Sequence, residues 1–424
     1  MGIRQRRCWH GCALPGQGRA NCGAGASING VCIHWALRAV VQMTCEERIS
    51  MKTRRTIIRA LGMLSAVTLV GGAKDAVAQG NSQDVWAMPD ESDLHQRTWM
   101  AFGASKKIWG TKLLPEVQRN LASIALTIAK YEPVSMLVRQ ADLSHAQQLM
   151  GDQVDLIVCP HDDLWMRDMG PVFVTSKNGD KAAVDFNFNG WGAKQDYDND
   201  AHVASFVTQR AGVHRIQTDL ILEGGGIEVD GHGTAIITES CVLNENRNPG
   251  VGKAHCEREL KRLLGLKKII WLPGIKGKDI TDGHTDFYAR FARPGVVVAG
   301  YDPDPKSFDH AVTVRHLEIL RAATDAQGRK LELVVLEAPT VVRDAFLNDD
   351  FAAGYINFYV CNGAVIAPEF GDPRTDAAAR RELKKAFPGR EVVQLNIDGI
   401  AAGGGGIHCT TQQEPKVSPH RPVP

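Results

Sequence analysis

YINFYVCNGAVIAPEFGDPRTDAAARRELKKAFPGREVVQLN, residues 355–396, is the stretch whose reading decides the fold. YINFYV and AVIAPEF alternate like strands, and Cys361-Asn362-Gly363 between them is a hairpin signal, because Asn-Gly accepts the φ > 0 conformations of tight turns. Thr375 is placed to cap a helix over TDAAARRELKKAF, which Pro388-Gly389 stops. EVVQLNI follows as a strand. The order is β-β-α-β.

That order recurs along the chain. Residues 284–337 give HTDFYARFA, GVVVAGY, a helix near DHAVTVRHLEILRAAT and then LELVVLE. Residues 220–272 give LILEGGGIEV, GTAIITESCVL, the helix AHCERELKRLLG and KKIIWLP. Residues 171–220 give PVFVTS, AAVDFNF, a helix near AHVASFVTQRAG and HRIQTDL. A first unit, 98–160, has a poorer hairpin but a good helix near LLPEVQRNLASIALTIAK, then VSMLVR and VDLIVCP. Five α/β units of about 50–60 residues, a repeat of structure and not of sequence, predict five blades closing into a ring around a central pocket. A doubly wound sheet would alternate strands and helices singly, which the doubled strands argue against.

The 424 residues are 44% hydrophobic, 23% charged and 6% aromatic, an ordinary globular composition. Upstream, MKTRRTIIRALGMLSAVTLVGGAKDAVAQG carries Arg54-Arg55, a short apolar run and Ala76-Val77-Ala78 before Gln79. This has the form of a twin-arginine export signal over 51–78, too short and too rich in Gly and Ala for a membrane span. Met51 is then the expected start, residues 1–50 are expected to be disordered or absent from the mature protein, and 79–424 is one catalytic domain. The expected location is the periplasm or the medium, with the cytoplasm as the alternative. Residues 1–78 hold 11 of the 49 basic and 3 of the 48 acidic side chains, leaving 38 and 45, a net charge of −7. Such a surface does not suit nucleic acid; it suits a small cation. No membrane contact is expected after signal cleavage. A homodimer stays open. Cys159, Cys241, Cys256, Cys361 and Cys409 remain, an odd set that implies at least one free thiol.

Four stretches carry groups for chemistry: WMRDMGP at 165–171 with Asp168, ILEGGGIEVDG at 221–231 with Glu223, TDGHTDF at 281–287 with His284 and Asp286, and GGGGIHCTTQQEP at 403–415 with Cys409. Each alone reads equally as a polar loop or a buried thiol. Together they supply a nucleophile, an acid/base and carboxylates, which suits attack on a guanidinium. Carboxylates take its N–H pairs in fork geometry, a thiolate attacks its carbon, and a His protonates the leaving ammonia and then activates water.

With TWMAF, FNFNGWGAK, NENRNPG, ARPGVV, YINFYV and APEFGDP in the same order, residues 86–415 resemble the agmatine deiminase family of the guanidine-modifying (pentein) superfamily. The resemblance implies a five-bladed pseudo-symmetric α/β propeller. It also implies hydrolysis of agmatine to N-carbamoylputrescine and ammonia, with no metal or organic cofactor. By motif, Cys409 would be the nucleophile, carrying a covalent amidino-thioether, and His284 the general acid/base. Asp168 and Asp286 would hold the guanidinium, and Glu223 would orient it or the His. Trp165 and Trp191 would wall the substrate channel, with Gly406 beside it. Many members have Asn at the position of Gly406 and Ser at that of Gly226. A related deiminase acting on C-terminal peptidyl arginine would need basic residues near the substrate carboxylate; NFNGWGAKQDYDND offers one Lys. Asp282-x-His284-x-Asp286 also fits a manganese ureohydrolase, with His161-Asp162-Asp163 as the candidate second motif. A cation-binding protein without turnover would need no Cys409.

Overall fold

The computed structural model describes residues 85–417. The export segment and residues 1–50 lie outside the described residues. In the deciding stretch, Tyr359–Cys361 pairs antiparallel with Ala364–Glu369, which pairs parallel with Glu391–Asn396 after the helix Pro373–Ala386. The hairpin turns on Gly363 at φ +90°, where an L side chain would be strained. The helix cap is not Thr375. Asp372 accepts from the N–H groups of Arg374 and Thr375, and Pro373 occupies the first turn, where its missing N–H costs nothing. Thr375 is one turn too late, and its hydroxyl bonds Tyr355 Oη at 2.8 Å. Asp376, Ala379, Leu383 and Ala386 form the buried stripe, spaced three and four apart as a helix requires.

The described residues hold five sheets, and each contains this same arrangement. Val172–Ser176 pairs antiparallel with Lys181–Asp185, which pairs parallel with His214–Gln217; Trp86–Ala87 adds an outer strand. Ile227–Val229, Thr234–Thr238 and Lys268–Leu272 make the next sheet. Ala289–Arg293, Val296–Tyr301 and Glu332–Glu337 make another. Each crossover is a helix: Val203–Ala211, Lys253–Leu264 and His310–Ala322.

The first unit departs from its sequence reading. Its parallel strands are His95–Phe102, Val134–Val138 and Asp155–Val158. The antiparallel partner of His95–Phe102 is Gln412–Pro415, from the other end of the chain, with Trp99 opposite Gln412. The hairpin is poor because there is no hairpin: the pairing is non-local. This also places Cys409 three residues before a strand locked between the first unit and Val172–Ser176; Gln412 Nε2 donates to the Pro171 carbonyl at 2.6 Å. No helix of the described residues is long and apolar enough to cross a membrane.

Candidate active site

Cys409 lies in a single 3-10 turn, His408–Thr410, between the glycine run and the last strand. Asn357, in the loop before Tyr359–Cys361, holds that turn. Its Oδ1 accepts from Cys409 N at 3.2 Å, its Nδ2 donates to Cys409 Sγ at 3.2 Å, and its carbonyl accepts from His408 N at 3.2 Å. The thiol is 4% exposed and Sγ lies 3.7 Å from Asp286 Oδ2. Burial, then Asp286 and Asp168, push its pKa well above the ordinary thiol value, so the free protein holds Cys409 as a neutral thiol.

Three further units bring their polar ends to this turn. His284 Nε2 meets Glu223 Oε2 at 3.1 Å, and His284 Nδ1 faces Asp168 Oδ1 at 3.8 Å. Burial works against charging His284, but the Asp168 and Glu223 carboxylates and the Cys241 sulfur outweigh it and hold the ring well above its usual range. Glu223 is lowered despite burial, because His284 and Arg247 (Nε to Oε1, 2.9 Å) stabilise its anion. Asp168 is the opposite case: burial raises it to about 6, with His284 pulling the other way. Its Oδ2 accepts from Trp191 Nε1 at 3.0 Å and its Oδ1 from Gly225 N at 3.1 Å. A side chain at 225 would meet His284 Nδ1 at 2.6 Å and Asp168 Oδ1 at 2.9 Å, so the second glycine of Gly-Gly-Gly is what lets these groups meet. Asp286 Oδ2 accepts from His408 Nδ1 at 2.7 Å. Asp286 Oδ1 and His284 Nδ1 are buried and have no hydrogen-bond partner among the described residues.

Cys409, His284, Asp286, Asp168 and Glu223 therefore converge, as the motifs suggested. At neutral pH this gives a neutral thiol, an imidazolium and three carboxylates, a site two charges negative before Arg247 is counted. The comparisons with known proteins agree with the chemistry of such a site. Residues 87–415 match the Porphyromonas-type peptidyl-arginine deiminase family. The chain belongs to this family. A Streptomyces coelicolor relative, provisionally named an agmatine deiminase, is 43% identical over 337 residues, 78% of this chain and 98% of its own length. The agmatine deiminase of Medicago truncatula is 36% identical over 363 residues, 78% of this chain and 96% of its own. Among solved structures, the agmatine deiminase of Enterococcus faecalis superposes with a TM-score of 0.74 at 31% identity, covering 78% of this chain and 96% of that one. This chain shares its mixed α/β fold with that structure.

The remaining site residues of this deiminase-family chain have mixed placements. Trp191, at φ +56°, stands edge-on to Phe188 with ring centroids 5.0 Å apart and aims its N–H at Asp168. Trp165 packs on Trp109 (5.8 Å between rings) and on Gly405, where an added methyl would lie 2.1 Å from its ring. Gly406 is packed by Asn357: a Cβ there would lie 2.4 Å from Asn357 Oδ1. The D-x-H-x-D motif does not converge as a metal site. Asp282 Oδ2 binds Arg247 and Lys194, both at 2.7 Å, while Asp286 binds His408. His161, Asp162 and Asp163 bond Cys159 O, Asn199 and Trp109, which makes them local structure. The donor atoms of Glu223, Cys241 and His284 lie within 4.8 Å of one another, but Glu223 is already shared between Arg247 and His284. The sequence reading missed Asn357, His408, Arg247 and Glu91. Asn357, His408 and Arg247 sit inside quoted motifs, and only their contacts separate them from their neighbours.

Proposed function

We propose that the protein hydrolyses agmatine to N-carbamoylputrescine and ammonia. The observation that carries this reading is the pair of buried atoms without partners, Asp286 Oδ1 and His284 Nδ1, beside a neutral thiol. A guanidinium entering this site gives its N–H pairs to Asp286 and Asp168. Its positive charge offsets the two anions that keep the thiol protonated, so Sγ releases its proton to solvent water as substrate binds, and the thiolate takes one back from solvent after product leaves. The Cys409 thiolate then bonds to the guanidinium carbon. The His284 imidazolium gives its proton to the departing nitrogen, the C–N bond breaks, and ammonia leaves an amidino-thioether on Cys409. Neutral His284 next takes a proton from water, hydroxide adds to the same carbon, and the C–S bond breaks to release the carbamoyl product. Glu223, held by Arg247, orients His284 through Nε2. Trp191 fixes Asp168, and Trp165 and Gly406 border the channel.

Agmatine is favoured over C-terminal peptidyl arginine by what lies outside the site. Lys194, the lone basic residue of NFNGWGAKQDYDND, is spent on Asp282 Oδ2 at 2.7 Å and the Ile280 carbonyl at 2.9 Å. A cleft of about 420 Å³ beside it is lined by Ala193–Asp198, including Asp196 and Asp198. Asp196 is itself paired with Lys107, which leaves Asp198 as the carboxylate that suits an ammonium end better than a carboxylate end. The agmatine deiminase names of the matched relatives support the same substrate. The repeated sheets, with the last strand completing the first, support a five-bladed pseudo-symmetric propeller of ββαβ units. We further propose that residues 51–78 direct export and that 79–424 act in the periplasm as one domain.

The test is product analysis of the purified chain with agmatine, with and without EDTA. Ammonia and N-carbamoylputrescine in equal amounts, indifferent to EDTA, are expected. Urea, or loss of turnover with the chelator, would overturn the thiol mechanism in favour of the metal reading.

A further inference from the structure

We propose that His408 is a positioning residue that holds Asp286 by one oxygen and leaves the other free for substrate. The proposal rests on the reading above only in taking Asp286 as a substrate-holding carboxylate. The His408 ring lies behind the nucleophile, 1% exposed, between two carboxylates. Its Nδ1 is 2.7 Å from Asp286 Oδ2 and its Nε2 is 2.9 Å from Glu91 Oε2.

The two ends of the ring are not equivalent. Glu91 is well supplied without His408. Arg167 Nη2 reaches Oε2 at 3.0 Å, Arg290 Nη2 reaches Oε1 at 2.7 Å, and Val360 N donates to Oε1 at 2.9 Å. Asp286 has no such surplus. Among the described residues its Oδ2 takes His408 Nδ1 as its one nitrogen donor, with the Cys409 thiol at 3.7 Å, and its Oδ1 takes none. Removing the ring therefore leaves the Glu91 cluster held and releases Asp286 to rotate towards Arg290, His284 or the thiol.

The ring is itself fixed at both termini of its own peptide. His408 N donates to the Asn357 carbonyl at 3.2 Å, and the His408 carbonyl accepts from Thr411 N at 3.1 Å. The side chain that orients Asp286 and the nucleophile thus share one backbone turn, so the S-to-carbon line and the carboxylate fork are set together. Misplacement of a reacting group by about 1 Å costs on the order of 100-fold in rate, which makes a donor 2.7 Å from the gripping carboxylate worth keeping.

His408→Asn and His408→Gln separate this role from simple core filling. The Asn amide nitrogen falls near the position of Nδ1 and keeps donation to Asp286; the Gln amide nitrogen falls near Nε2, faces Glu91 and leaves Asp286 without a donor. The measurements are kcat and KM for agmatine, with a urea unfolding midpoint for each variant. The expected result is kcat/KM within about tenfold of wild type for Asn and about 100-fold down for Gln, at similar unfolding midpoints. Equal losses in the two variants, losses that follow the midpoints, or a better Gln than Asn would overturn the proposal. A second measurement needs no variant: 15N chemical shifts of selectively labelled histidine in the wild-type chain. A protonated Nδ1 on the ring that loses its signal coupling to the solvent, with a shift that changes on agmatine binding, is expected; no histidine of that kind would overturn the proposal. Should wild type turn over no guanidine, the functional reading fails, and the ring protonation still decides whether Nδ1 donates.

Discussion

In front of Cys409, Asp286 Oδ1 and His284 Nδ1 are buried without partners; behind it, one carboxylate, Glu91, is ion-paired to Arg167 and Arg290, faces His408 and accepts from Val360 N. Both regions are buried and charged. They differ in whether the charges are answered. Behind the turn, Arg290 also binds Glu228 Oε2 at 2.7 Å and the Phe358 carbonyl at 2.7 Å, tying three units together. Glu91 stays well below the usual carboxylate range although burial opposes it, because Arg290, His408 and Arg167 surround it. In front, burial dominates instead: it raises Asp168 to about 6 and keeps the Cys409 thiol protonated. Behind the turn the carboxylates are tied to guanidiniums; in front, two polar atoms, Asp286 Oδ1 and His284 Nδ1, are left without hydrogen bonds among the described residues.

The largest expected break of this contrast is Cys409→Ser. Turnover should fall by about 10⁴-fold or more, with agmatine affinity within about tenfold by calorimetry, since the thiolate acts in bond making and not in binding. Full activity in that variant would remove the mechanism. Arg290→Met attacks the other side. It strands Glu91 and Glu228 and should lower stability by about 3–5 kcal/mol in urea unfolding, the usual result of removing one partner of a buried ion pair. A Met variant as stable as wild type would show that the rear network is not a scaffold.

The pH behaviour of the two regions should have opposite signs. Asp168 must be ionised to grip a guanidinium, so kcat/KM should fall about tenfold per unit as pH drops through about 6. A profile flat from pH 7 down to 5 would mean that Asp168 does not hold the substrate. Stability should run the other way. Asp200 and Asp309 are raised by burial to about 8 and 7. A raised carboxylate contributes stability that is fully present below its unfolded value, about 4, and is lost as pH rises to its folded value. Unfolding free energy should therefore decline by a few kcal/mol, on the order of 1.4 per pH unit per group, between about pH 4 and 8. Asp200→Asn should flatten part of that slope without changing kcat; an unchanged slope would show that Asp200 is not protonated in the folded state.

Much of this was legible in the chain. The hairpin at Asn362-Gly363, the five crossover helices and the β-β-α-β order follow from local periodicity and turn chemistry. The groups that converge were legible because Asp168, Glu223, His284, Asp286 and Cys409 each sit in a short motif, most of them with glycines alongside. What surrounds them was not. Asn357 reads as an ordinary strand residue in YINFYV, and Glu91 lies in a stretch with no motif at all. Thr375 was a plausible cap, but Asp372, three residues earlier, takes the N–H groups of Arg374 and Thr375 and starts the helix there.

The sequence by itself determined the local elements and the short motifs that carry the candidate groups, because both depend on residues within a turn or two of one another. Only the tertiary structure decided that Gln412–Pro415 completes the first sheet, and that His408 meets Glu91 across 317 positions. It alone decided which buried polar atoms stay unpaired. Those outcomes depend on which strand edges and carboxylates meet once the whole chain has folded, and no local pattern records the choice of a distant partner.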